Sequence, residues 1–239
     1  MALPVFYARP ELVGSTLNVA PAPASWDTAG EPGQVRSAAF TADVLAAIAP
    51  TVTVAPDPLA LRLDVGLSDT VPLLLLNDLD NYLFPLVPKL TKGTLRQFAS
   101  VWATKQHATT SSVAVCQTQP APDPGGVYSL RVRTTASAST AAYKRQIHDQ
   151  ISVAPPLPDG GIALQLAFVV GPRRAWPNLW KATIDSLGPI LGRDHAAREW
   201  DTRDGRITNL GLHCTTDPFA GNHVTIAIRA RTTDMHTAR

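Results

Sequence analysis

The chain has 239 residues, 45% of them hydrophobic and 17% charged, with 21 basic against 19 acidic side chains. This supplies enough apolar matter for a buried core and excludes the disordered and collagen-like classes. A formal net charge of +2 excludes a histone-like excess, so any nucleic-acid surface has to be a local patch.

Residues 1–39 are rich in Pro, Gly and Ser and read as an irregular extension, with VFYARP as an edge strand. A helix over Thr41–Ile48 leads through a Val-Ala-Pro turn into an alternating strand, Leu59–Leu67. The apolar run VPLLLLN at 71–77 is far short of the roughly 20 residues that span a bilayer. A second helix opens at Asp78–Asn81, and Pro85 and Pro88 are expected to interrupt it. A segment bearing Trp102 follows, then a strand ending at Cys116, a Pro/Gly loop and a closing strand, Val127–Arg133. The order then recurs. A helix over Thr140–Ile151 precedes a strand, Ile162–Val170, and a helix over Asn178–Leu191 in which Trp180, Ile184, Leu187 and Leu191 share one face. The Trp200 segment, a strand ending at Cys214 and a strand over Val224–Ala230 complete it.

One constant offset lays Trp102 on Trp200, Cys116 on Cys214, and Arg131 and Arg133 on Arg229 and Arg231. The expectation is an α+β fold of two tandem mixed-sheet units, 40–135 and 140–239, joined by 136–139 and packed as an intramolecular pseudo-dimer. The two cysteines make no disulfide framework and read as small buried hydrophobes. No basic leader with an apolar stretch opens the chain, so a monomeric cytoplasmic protein without a membrane partner is expected.

Dinucleotide, phosphate-loop, nucleophile-elbow and zinc-protease signatures are absent. His213, Cys214, Asp217 and His223 match no zinc spacing, and structural use is expected of them. Asn77-Asp78-Leu79-Asp80-Asn81 carries two carboxylates two residues apart, which in an extended segment face one side and reach one Mg²⁺ or Mn²⁺. Helix capping is the alternative, because Asp and Asn favour the N-cap position.

A strand followed by D-x-D-N at the head of a helix resembles the RusA family of Holliday junction resolvases. In the second unit Arg174, Asn178, Lys181, Asp185 and Leu187 resemble that family's helix motif, and Asp204 and Ile207 its later acidic pair. The resemblance covers some 60 residues of each unit. It implies a Mg²⁺-dependent endonuclease of branched DNA, acting in recombination and repair, with three aspartates holding the metal and a lysine beside the phosphate. The first unit keeps Asp78 and Asp80 but has Phe84 for the lysine and Gln106 for the last aspartate. The second keeps Lys181 and Asp204 but has Ala175 and Pro177 for the paired aspartates. Neither unit holds a full set; between them they hold one.

Three functions follow. A nuclease would join Asp78, Asp80 and Asp204 as ligands with Lys181 in a single composite site. An inactive module would only bind DNA, with Arg173, Arg174, Lys181, Arg203 and Arg206 of one unit and Lys89, Lys92, Arg96, Lys105, Arg131 and Arg133 of the other as candidate phosphate contacts. A protein-interaction scaffold would use these charges merely as solvated faces.

Overall fold

The apolar faces of the longer strands and helices are buried together in one core cluster. The computed structural model describes residues 2–24, 28, 30–193 and 198–233. In chain order the first half contains β1 (Phe6–Tyr7), β2 (Ser15–Thr16), α1 (Pro32–Val54), β3 (Leu59–Leu67), α2 (Leu79–Thr94), β4 (Phe98–His107), β5 (Ser112–Gln117) and β6 (Pro120–Ala121). The second contains β7 (Tyr128–Thr134), α3 (Ala141–Ile151), β8 (Gly161–Val170), α4 (Pro177–Asp185), α5 (Gly188–Leu191), a 3₁₀ turn (Asp204–Arg206), β9 (Ile207–Thr216) and β10 (Val224–Thr233). The fold is α+β, with a large mixed sheet and a small antiparallel pair, β1 with β6.

The large sheet runs β2-β5-β3-β4-β9-β8-β10-β7. Parallel pairs β3–β4 and β8–β9 flank a central antiparallel pair, β4–β9. Each parallel pair has a register shift after its first residue, at Leu59/Ala60 and Ile162/Ala163. Read from either edge, the order of pairings is the same. The helices follow suit: Phe40, Val44 and Ile48 of α1 and Tyr143, Ile147 and Ile151 of α3 are buried at identical spacing. On the uncovered face β1 lays Phe6 against Ala167 and Ala227. There His213 accepts from Ser100 Oγ at 3.1 Å and donates to Gln165 Oε1 at 3.2 Å, and burial pushes its pKa down to about 3.

Several expectations need correction. The strand expected to close the first unit, β7, pairs with β10 instead of β5, and so lies at the edge of the second half. Trp102 sits within β4, whereas Trp200 lies in a turn before the 3₁₀ segment. Cys116 and Cys214 occupy strands of different type, one antiparallel and one parallel to its β3 or β8 neighbour. The constant offset therefore aligned similar Thr and Arg patterns, and strand pairing sets the register in its place. Pro85 and Pro88 do not interrupt α2. Pro85 removes the N–H that would bond the Asn81 carbonyl, and that carbonyl accepts from Ala24 N at 2.7 Å instead. The helix of 178–191 breaks between α4 and α5, where Gly188-Pro189 follows. Finally, α1 is longer than expected and has an 18-residue window of mean hydropathy 1.5, enough by length and composition to cross a membrane. Its stripe of Phe40, Val44, Ile48 and Val52 is buried in the core.

Candidate active site

The side-by-side packing of α2 and α4 gathers charged residues from both halves of the chain. After β3 the backbone passes through Asn77, held at φ 63° in the left-handed region that Asn tolerates better than most residues. Its side-chain oxygen accepts from Tyr82 Oη at 2.9 Å. Asp78 occupies the N-cap position of α2, but its side chain makes no capping bond. It accepts instead from the Asn81 side chain at 2.9 Å. One turn of helix thus presents Asp78 and Asp80 toward α4, and the capping alternative lacks its defining bond.

Asp80 is 1% exposed, and its Oδ2 has no hydrogen-bond partner. Lys181 Nζ of α4 stands 3.6 Å from that oxygen, 3.5 Å from Asp185 Oδ1 and 3.8 Å from Asp204 Oδ2 in the 3₁₀ turn. The other oxygen of Asp185 accepts from Lys144 Nζ of α3 at 2.6 Å. Behind them Lys105 of β4 is almost fully buried and donates to the carbonyls of Leu76, Asn77 and Gly205 at 2.8, 3.0 and 2.7 Å. Those three carbonyls belong to the two loops that carry Asp78 and Asp204. Lys105 is the tie between them.

Carboxylates crowd the site without full compensation. Burial pushes Asp204 up to about 7, helped by the charges of Asp78 and Asp80. Burial likewise pushes Asp80 up to about 6 against the pull of Lys181, and raises Asp78. For Lys181 burial acts the other way, but Asp80, Asp185, Asp204 and Asp78 outweigh it and raise its pKa. Burial brings Lys105 down to about 8. An oxygen-only donor set with surplus negative charge and an orphan buried oxygen suits a hard divalent cation in kind. Among the described residues, no group of three or more acidic, His or Cys side chains stands at metal-ligand spacing. The Lys181 ammonium lies between them.

The expected site residues Asp78, Asp80, Lys181 and Asp204 therefore come together, and Asp185 joins them. The expected phosphate contacts divide. Lys89, Lys92, Arg131, Arg133 and Arg173 are exposed. Arg206 is not available: it is 2% exposed and donates to the carbonyls of Gly160, Leu157, Leu191 and Pro158. Arg174 donates to the carbonyls of Thr135, Ala136 and Asn222. Arg96 holds Val52, Ala55 and Asp57 at the end of α1, and Arg203 pairs with Asp159 at 3.0 Å. Lys105, expected on a phosphate, is internal. One sequence signal marked it: in β4 it shares the inward phase of Val101 and Ala103, where a lysine needs dedicated partners.

No protein-family model matches the chain, and no curated protein is detectably similar to it in sequence.

Proposed function

We propose that the chain is a metal-dependent endonuclease of branched DNA, a tandem RusA-like pseudo-dimer whose one active site draws on both halves. The observation that carries this reading is the meeting of Asp80 of α2 with Lys181 and Asp204 of the second half around a single ammonium, at 3.6 and 3.8 Å. The symmetric order of strand pairings supports the duplication, with the boundary between halves falling before β7.

Asp78, Asp80 and Asp204 would hold Mg²⁺ or Mn²⁺. The bound ion would polarise the scissile phosphate and lower the pKa of a water. Lys181, 39% exposed at its side chain, turns from the carboxylates to a non-bridging phosphate oxygen and offsets its charge. In the hydrolysis a water oxygen bonds to phosphorus, one ester P–O bond breaks, and the departing oxygen leaves with a proton. Asp185, held in turn by Lys144, pairs with the Lys181 ammonium, and Lys105 fixes the loops of Asp78 and Asp204. Exposed Lys89, Lys92 and Arg173 supply backbone contacts that position the DNA without reading its sequence.

The second reading is a DNA-binding module without activity, favoured by the position of Lys181 among the carboxylates. Labelled four-way junction, fork and duplex probes, incubated with Mg²⁺ or Mn²⁺, separate the readings. Cleavage lost in Asp80→Asn supports the nuclease. Salt-sensitive binding without cleavage supports the inactive binder, and neither binding nor cleavage leaves the interaction scaffold.

A further inference from the structure

The two ends of the α2–α4 pair have opposite chemistry. At one end Asp78 and Asp80 precede Asn81 by three residues and one, facing Lys181 and Asp185, which follow Asn178 by three and seven. At the other end the residues at those same spacings are Ala175 and Pro177 before Asn178, and Phe84 and Pro88 after Asn81. Asp204 lies three residues before β9 begins; the residue three before β4 begins is Leu95. The second end thus lacks every acid and amine that the first end gathers. It is nonetheless open, a cleft of about 870 Å³ whose lining includes Val87, Phe98 and Trp176, the basic Arg173 and Arg174, and one acid, Asp57.

Resting on the nuclease reading above, we propose that this protein is a nicking enzyme, which cuts one strand of a branched DNA per encounter. A two-fold junction presents two equivalent phosphodiesters. One meets the carboxylates and Lys181 and is hydrolysed, with the bond changes given above. The other meets a surface that offers the exposed Arg173 to a phosphate and has a single carboxylate, Asp57, already paired with Arg96 at 2.9 Å, in place of the cluster that the first end gathers. The second strand is left intact, and the product is a nick.

A supercoiled plasmid that extrudes a cruciform tests this in Mg²⁺ buffer with the full chain. The first cut relaxes the plasmid and abolishes the cruciform, so linear DNA arises only when both strands are cut within one complex. Nicked circles without linear product are expected, and Asp80→Asn should remove the nicked product entirely. Linear DNA forming as fast as nicked circles would overturn the single-cut proposal while leaving the nuclease reading intact, whereas nicking that survives in Asp80→Asn would overturn the composite site on which both rest. Failure to convert the plasmid, together with failure to cut any junction or fork, would overturn both.

Discussion

Replacing Asp80 by Asn separates a carboxylate kept for a ligand from one kept for the fold. Asp80 is 1% exposed, and burial pushes its pKa up to about 6, against about 3.9 for a free aspartate. The folded chain therefore binds more protons here than the unfolded chain across that interval. The stabilisation is complete below about pH 4 and is lost as the pH rises through 6. Two pKa units at about 1.36 kcal/mol each place the loss near 3 kcal/mol above pH 7. Asn keeps the shape of the neutral acid and carries no charge, so Asp80→Asn should be more stable than the wild type by about 3 kcal/mol at pH 8 and by about 1 kcal/mol at pH 4.5. Urea unfolding in EDTA at both pH values measures this, with the slope checked for constancy so that the midpoint reports stability alone. The same variant should lose cleavage. A variant less stable than the wild type at pH 8 would show that the ionised carboxylate holds the fold through Lys181, and the reasoning would fail.

Asp204→Asn should stabilise in the same direction, by about 4 kcal/mol at pH 8 from a pKa of about 7. Because Asp80 and Asp204 act on each other, the double variant should gain less than the sum in the same urea series. Lys105→Met leaves the carbonyls of Leu76, Asn77 and Gly205 without their donor, and a loss of about 3 kcal/mol or more is expected in urea unfolding. Arg206→Ala should cost a similar amount, and any remaining folded protein should bind junction DNA with the wild-type salt slope. Arg173→Ala should leave stability within about 0.5 kcal/mol of the wild type. If Arg173 contacts a phosphate, its removal reduces the slope of log affinity against log salt by about 0.9, measured by titration at several salt concentrations.

Much of the architecture was legible because burial imposes its period on the residues. β3 alternates Leu59, Leu61, Leu63 and Val65 toward the helices, and its limits agree with the expected strand. α3 likewise runs from just after Thr140 to Ile151 as its spacing implied. What the residues concealed was pairing. The pattern of β7 suits either edge of either half, and only its register, Thr134 opposite Val224 through Tyr128 opposite Ala230, decides between them. Nor does a propensity argument anticipate that a hydrogen bond from Ala24 would satisfy the carbonyl freed by Pro85, because that donor comes from a distant segment.

The composite site was foreseeable as a set of residues but not as a place, since spacing along one chain says nothing about the distance between two half-sets. What the sequence does expose is conflict. Asp80 falls on the buried stripe of α2 beside Leu79, Leu83 and Val87, and Lys105 falls on the inward phase of β4. A charged residue at a core phase costs several kcal/mol unless it is paired. Lys105 resolves its conflict with three carbonyls and is thereby structural. Asp80 does not: one of its oxygens has no hydrogen bond, and its nearest cation stands 3.6 Å away, shared with Asp185 and Asp204. The first pattern is how a fold uses a buried charge. The second leaves a buried oxygen in an ion pair without a hydrogen bond, and that incomplete pairing is what the proposed metal site would complete.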